Sequence, residues 1–352
     1  MEDAAQLTQR RAEVDDDSGV GAARRLAMTC AAQAGADETQ RATLGIVVTE
    51  LATNLVRHAG RGTLLIQRVT TAREAMIEVQ AMDQGPGIAA PERCLQDGYS
   101  TAGTAGTGLG AVQRLSDEFD LYSGAQGTVV LSRVAVTRRS AAARAQADAV
   151  RWGCTTREAP RERCNGDAWV VTQIAEGVGA LVADGLGHGP LAAHAAGRAA
   201  ALFEQTQDAD LVRYLERAHA ELAQTRGAAL AVCRLDATCR RLAYLGVGNI
   251  AGTLVCADGA RGLFTHNGIV GQVRPRLKMM EYDCPARGLL VMHSDGIKPQ
   301  WRLDAYPGLL QRHPAVVAAV LSRDFRRGTD DSTVLVIGLD RTSAGTPPVQ
   351  PH

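Results

Sequence analysis

The chain has 352 residues, 45% hydrophobic and 4% aromatic, so Val, Leu, Ile and Ala must fill the cores and two domains of ordinary size are expected. Lys+Arg and Asp+Glu both number 38, a balance that indicates no broad basic face for nucleic acid. Gly-Lys-Ser/Thr is absent, which excludes a Walker P-loop, and no apolar stretch is long enough to cross a bilayer.

Residues 1–14 read as a loose polar leader without a basic n-region or an apolar h-region. Val20, Ala23, Leu26, Ala27, Cys30 and Ala31 then recur at helical spacing, as do Leu44, Val47, Val48, Leu51 and Leu55. Strands are expected at Thr63 to Val69, at Ala75 to Met82 and at Thr128 to Val136, with a glycine-rich loop and a helix near Ala111 to Phe119 before the last of them. Helices on one face of a mixed sheet is the simplest layering for this half, 15–138. An Ala/Arg stretch, 139–149, reads as a linker.

The second half, 150–340, begins with paired strands at Ala168 to Ile174 and Val178 to Ala183. Helices follow near Pro190 to Gln207 and Asp210 to Gln224, then strands at Ala228 to Leu235, Arg240 to Gly246, Gly288 to Met292 and Thr333 to Leu339. This is an α/β pattern with many antiparallel neighbours. Residues 341–352, with Pro347, Pro348 and Pro351, have the composition of a disordered tail. The eight cysteines contain no Cys-x-x-Cys spacing. Reduced thiols in a cytoplasmic protein are expected, and the spacings of Cys154 with Cys164 and of Cys233 with Cys239 are wrong for common zinc sites.

Two sets of polar residues carry chemistry. In the first half, Glu50 and Asn54 lie four apart on one helix face, so an amide oxygen suited to Mg²⁺ sits beside a carboxylate able to orient or deprotonate a hydroxyl. Asp83 ends a strand, where it is suited to accept a hydrogen bond from an adenine amino group. Gly85 and Gly87 allow close backbone approach, and Gly106, Gly108 and Gly110 present N–H groups and a helix start to phosphates. The G-x-G-x-G spacing after a loop does not fit a dinucleotide fingerprint. Each piece alone has a bland reading as a solvent-facing pair or a flexible loop.

In the second half, Asp167, Asp184, Asp295 and Asp330 each abut an apolar strand, where an unpaired carboxylate is costly. Four such carboxylates make a cage for two hard divalent cations, with the Gly185 carbonyl as a further ligand. The absence of a Cys/His set favours Mn²⁺ or Mg²⁺ over zinc. Any one Asp-Gly pair is by itself an ordinary turn, and Asp258-Gly259 is assigned to one. His188 either approaches the phosphate or closes its turn, and His58 is read as a helix-end residue.

Residues 16–136 resemble the GHKL (Bergerat-fold) ATPases, and more narrowly the RsbT-like serine kinases of the bacterial stress-response switch. The resemblance rests on Glu50-Leu-Ala-Thr-Asn54, Asp83-Gln-Gly-Pro-Gly-Ile88, Asp97-Gly-Tyr-Ser-Thr101, Gly106 to Gly110, Arg114 to Phe119 and Gly127-Thr128. It implies that Asn54 holds Mg²⁺, Glu50 is the catalytic base, Asp83 binds adenine and Thr128 supports Asp83. Residues 150–340 resemble the PPM-type metal-dependent phosphatases of the SpoIIE and RsbX branch. Here the matching segments are Gly166-Asp167, Val182 to Gly189, Gly246-Val-Gly-Asn249, His293-Ser-Asp-Gly296 and Asp330-Asp-Ser-Thr333. Asp167, Asp184, Gly185, Asp295 and Asp330 are then the implied metal ligands, Asp184 and Asp295 the implied catalytic pair, Asp331 an adjacent carboxylate and Asn249 a loop support.

The implied fold is α/β (α+β): a two-layer GHKL sandwich followed by a four-layer α-β-β-α PPM sandwich. The implied protein is a cytoplasmic bifunctional partner switch using ATP with Mg²⁺ in one half and two Mn²⁺ or Mg²⁺ ions in the other. Its expected substrate is a STAS-domain anti-sigma antagonist or stressosome-type protein, with a sigma factor or another downstream regulator as a further partner and homo-oligomerisation left open. Alternatives are a first half that only sequesters a STAS protein or sigma factor, or one that senses ATP and regulates a lone phosphatase.

Overall fold

A computed structural model describes residues 9–70, 74–95, 108–138, 150–162, 164–174, 177–206, 210–272 and 277–340. The expected linker 139–149, the expected tail 341–352, and Gly106 lie outside them. The chain divides into two compact units, Met1–Asp148 with Gly153–Thr155 and Gln300–Phe325, and Ala149–Trp152 with Thr156–Pro299 and Arg326–His352.

The first unit opens with β1 (Arg10–Val14), α1 (Asp17–Gln33) and α2 (Glu38–Asn54). Residues 10–14, expected to belong to a loose leader, instead form an edge strand antiparallel to β2 (Gly62–Thr70), with Val14 fully buried. The polar alternation that resembles a leader is that of a half-exposed edge strand. Asp16 caps α1 by accepting from Gly19 N at 2.8 Å. α2 starts in a capping box, with Asp37 accepting from Gln40 N and Gln40 accepting from Asp37 N. At Asn54 the helix widens into a π-turn, Leu55–Ala59, closed by Gly60 in the left-handed region. Such turns displace the helix axis and recur at functional sites.

Strand β3 (Glu74–Met82), short helices α3 (Pro91–Cys94) and α4 (Gly108–Leu115), and strands β4 (Glu118–Gly124) and β5 (Gly127–Arg138) complete the half. The sheet order is β1-β2-β3-β5-β4, and every pairing is antiparallel, not mixed as expected. The helix expected to reach Phe119 stops at Leu115, because Glu118 onward pairs with β5. Leu44, Val47, Val48 and Leu51 of α2 pack with Ile66, Ile77, Val79 and Val130 in one apolar core.

Alternate residues of β3 face a buried polar cluster. Glu78, fully buried, accepts from Arg133 Nε and Nη2 at 2.7 Å and from Gln67 and Gln80 at 2.6 and 2.8 Å. Gln80 in turn accepts from Thr155 Oγ1, and both glutamines donate to the Cys154 carbonyl.

The second unit stacks two sheets. The larger has the order β13-β10-β9-β8-β7, with a sixth strand on β10. Its strands are β7 (Asp167–Ile174), β8 (Gly177–Gly185), β9 (Ala228–Asp236), β10 (Arg241–Val247), β13 (Thr265–His266) and β14 (Met280–Asp283). Helices α5 (Pro190–Gln205) and α6 (Leu211–Leu222) cover it through Ala196, Ala199, Ala200, Phe203, Tyr214 and Leu215. The second sheet has the order β12-β11-β15-β16-β6, from β6 (Trp152–Arg157), β11 (Ala251–Cys256), β12 (Gly259–Gly262), β15 (Leu289–His293) and β16 (Ser332–Gly338). Cys233 of β9 meets Met292 of β15 at 3.9 Å, so the sheets face one another across a dry layer. Asp258 sits in the turn of the β11–β12 hairpin, as expected. Helix α7 (Pro314–Phe325), which belongs to the first unit, escapes a periodicity search because nine of its residues in a row are buried. All eight cysteines are free thiols.

Candidate functional site

Two sites emerge, one in each unit. In the first, Glu50 and Asn54 are half-buried on the last turns of α2, immediately before the π-turn. Asp83 follows β3. Its Oδ1 accepts from Gly85 N at 2.8 Å and from Thr128 N at 3.0 Å, while Asp83 N donates to the Thr128 carbonyl at 3.0 Å. The support expected from Thr128 therefore comes from its backbone. Its hydroxyl instead lies 2.9 Å from Ser123 Oγ, which accepts from Ile88 N and pins the loop.

The glycines have packing reasons beyond those expected. A Cβ on Gly87, at φ +77°, would lie 2.3 Å from the Gly124 carbonyl oxygen, and one on Gly85 would lie 2.8 Å from Ala59 Cβ. Gly127, expected only as part of the Gly127-Thr128 match, has φ +116°, and a Cβ there would meet the Asp83 carbonyl oxygen at 2.1 Å. Gly110 sits against the Leu95 carbonyl, whereas Gly108, at the start of α4, has open space beside it. His58 is exposed on the π-turn.

In the second unit the topology gathers the acidic residues. Asp167 and Asp184 are direct cross-strand partners in β7 and β8, an arrangement of like charges that costs stability without a counter-charge. Asn249 bridges the next carboxylate, donating from Nδ2 to Asp295 at 2.7 Å and reaching Asp184 at 3.5 Å. Ser294 donates to Asp167 Oδ2 at 2.7 Å and accepts from Thr333 N, tying β15 to the start of β16. The Ser-Asp-Gly triplet was legible, but the positioning role of Ser294 was not.

Burial, followed by the neighbouring charges of Asp167, Asp295 and Asp330, pushes the Asp184 carboxyl up to about 9. Burial also pushes Asp167 up to about 7 against the opposing hydrogen bond of Ser294, and raises Asp331. The four expected carboxylates are thus electrostatic neighbours, although among the described residues no three Asp, Glu, His or Cys side chains close into a ready ligand set.

Two oxygens decide whether a cation fits. Asp167 Oδ1 and Asp331 Oδ2 are buried with no hydrogen-bond partner among the described residues. An orphaned, charge-bearing oxygen in a dry site is expensive, and a hard cation is the group that satisfies it. Asp331 is 3% exposed and accepts from Ala159 N at 2.8 Å, while Asp330 accepts from Asp331 N at 2.9 Å. Gly166 and Gly296 press on Asp331: a Cβ on either would stand 2.6 Å from its Oδ2 or 1.9 Å from its backbone oxygen. Gly185 is buried where a Cβ would meet the Ala192 carbonyl at 2.1 Å, so α5 needs a glycine there independently of any ligand. His188 Nδ1 lies 2.7 Å from Glu162, a partner that sequence reading missed. His293 is a buried strand residue whose imidazole is held below its ordinary range by burial.

Residues 14–134 match the model of the histidine kinase-like ATPase domain, and residues 175–340 match that of stage II sporulation protein E (SpoIIE). Serine/threonine-protein kinase RsbT of Bacillus subtilis (strain 168) is 38% identical over 110 residues, which are 31% of this chain and 83% of that protein.

The chain belongs to the RsbT family of serine/threonine kinases.

It fuses that RsbT-type GHKL domain to a SpoIIE-type phosphatase domain, so one chain carries both a kinase and a phosphatase domain. A solved structure described as "The bacterial stressosome: a modular system that has been adapted to control secondary messenger signaling" is 31% identical, with a TM-score of 0.50, covering 53% of this chain and 98% of that one. The crystal structure of RsbX in complex with magnesium is 19% identical, with a TM-score of 0.48, covering 54% of this chain and 94% of that one. No helix among the described residues is long and apolar enough to cross a membrane.

Proposed function

We propose that this RsbT-family protein is a partner switch that both phosphorylates and dephosphorylates Ser/Thr on a STAS-domain protein of the anti-sigma-antagonist or stressosome kind. The observation that carries the reading is the coexistence, in one chain, of the Glu50/Asn54/Asp83 constellation with the clustered Asp167, Asp184, Asp295 and Asp330. Similarity to RsbT and to a stressosome structure supports a partner of that class.

In the kinase half, Asp83 accepts from the adenine amino group, its orientation preset by Gly85 N and Thr128 N. Asn54 holds the Mg²⁺ that accompanies ATP. Glu50, one helical turn earlier, takes the proton of the attacking Ser or Thr hydroxyl. In the phosphatase half, Asp167, Asp184, Asp295, Asp330 and the Gly185 carbonyl hold divalent ions, Mn²⁺ or Mg²⁺, and the orphaned Asp331 oxygen lies within the same acidic cluster. When bound, such ions supply Lewis acidity and neutralise charge on the phosphoryl group. Asn249 and Ser294 fix the rotamers of Asp295 and Asp167, so the carboxylates are oriented before any ion arrives.

Phosphorylation places about two negative charges on a STAS surface and weakens or remakes its partner complex. The fused phosphatase resets it. The test is incubation with STAS proteins encoded beside this chain and labelled ATP. Transient labelling in the wild type, none with Asp83→Ala, and accumulated label with Asp184→Ala are expected. No transfer to any STAS protein, or label that persists in the wild type with Mn²⁺ present, rejects the reading.

A further inference from the structure

Helix α7 lies in the chain's second half, yet it packs on β3, β4 and β5 of the ATPase sheet within the first unit. The segment around it is bonded along that sheet's end. His313 N and Arg312 Nη1 donate to Asp120 at 2.6 and 3.2 Å, and the Tyr306 hydroxyl donates to Gln126 at 3.2 Å. At the last turn, the buried Arg323 donates from Nη1 to the backbone carbonyl of Asp83 at 3.2 Å while its Nε and Nη2 hold Asp324. The carbonyl that Arg323 grips belongs to the residue whose carboxylate faces adenine in the proposed function.

Immediately after α7 ends at Phe325, the chain is bonded beside the acidic residues. Arg326 bridges Ile297, Arg327 N donates to the Gly296 carbonyl at 2.8 Å, and Arg327 Nε donates to the Asp295 carbonyl at 2.7 Å. Asp330 follows three residues later. Chain continuity from Arg323 to Arg327 therefore links the backbone of Asp83 to the backbone of Asp295.

We propose that nucleotide at Asp83 and divalent ions at the carboxylate site bind with positive coupling, transmitted through the last turn of α7 and the residues 323–327. This deepens the proposed function and rests on it. The sign follows from shared ordering: a ligand that fixes the Asp83 turn fixes Arg323 and the strand after it, so the second ligand meets part of that ordering already done. Coupling of binding is reciprocal.

The experiment uses the full chain in buffered free Mn²⁺ with excess Mg²⁺, and a fluorescent ADP analogue whose anisotropy reports occupancy. Saturating ADP is expected to lower the half-saturating Mn²⁺ for para-nitrophenyl phosphate hydrolysis about five- to tenfold. It is also expected to slow amide hydrogen exchange at 326–333 in the wild type, a readout that needs neither turnover nor a variant. Arg323→Met, which keeps volume and loses the donor, should bring the fold-change close to one while still binding ADP. Should that variant not fold, Tyr306→Phe replaces it and should reduce the factor. ADP binding with an unchanged Mn²⁺ midpoint and unchanged exchange overturns the coupling and leaves the kinase reading standing. Absence of ADP binding overturns both.

Discussion

Replacing Asp167 by Asn removes a buried negative charge while keeping an oxygen that can accept from Ser294 Oγ. In the metal-free protein this carboxyl is raised from 3.8 to about 7, with burial as the first cause. A raised acid binds more protons folded than unfolded, so native stability falls as pH rises from about 4 to about 7 and the loss is complete above that. At about 1.36 kcal/mol per pH unit the ceiling is about 4 kcal/mol, the neighbouring charges of Asp331 and Asp295 adding to the effect of burial, and a gain of roughly 2–4 kcal/mol is expected. Asp167→Asn should therefore stabilise the chelator-treated protein at pH 8, raising the melting temperature of the second unit by roughly 5–10 °C. Near pH 4 the two proteins should coincide. Mn²⁺ at a hundred times its Kd should add about 2.7 kcal/mol to the wild type and far less to the variant. Calorimetry from pH 4 to pH 8, with and without Mn²⁺, makes the measurement. A variant less stable than wild type at pH 8 without metal, or an equal Mn²⁺ gain in both proteins, would refute the reasoning.

Glu50→Ala should retain ADP affinity within about twofold yet lose phosphoryl transfer by 10²-fold or more, as expected of a lost general base; a sequestering module would be indifferent to the change in a pull-down of its partner. Gly127→Ala forces a Cβ to 2.1 Å from the Asp83 oxygen at φ +116°. Fluorescent-nucleotide titration should show at least a tenfold loss of affinity, with stability lowered by about 1–3 kcal/mol. Glu78→Gln leaves the buried Arg133 with only Glu118 as a carboxylate partner among the hydrogen bonds described. Urea unfolding should register a cost of about 3 kcal/mol or more, with no change in the phosphatase's Mn²⁺ requirement.

Much of the candidate chemistry was readable along the chain because it depends on local neighbours. Glu50 and Asn54 share a face through the helical period, and Asp83 ends a strand whose apolar run announces it. Asp184 and Asp295 sit in Gly-bearing turns beside buried strands. What escaped were roles set by distant partners: Ser294 on Asp167, Glu162 on His188, Gly127 under Asp83 and Arg323 on the Asp83 carbonyl. β1 was hidden because an edge strand with one wet face looks like a polar leader. α7 was hidden because a helix buried on every side has no periodic signal.

Hydrophobic period, turn residues and the spacing of carboxylates and glycines were enough to specify two nucleotide- and phosphate-directed halves, since each of those signals is fixed by bonds within a few residues. Which face of β3 would bury Glu78 against Arg133 of β5, which oxygens of the acidic cluster would be left without a donor, and where α7 would lodge depended on segments fifty to more than two hundred residues apart in the chain. Those outcomes are settled only when desolvation makes buried polar atoms compete for partners, and that competition takes place in the folded molecule.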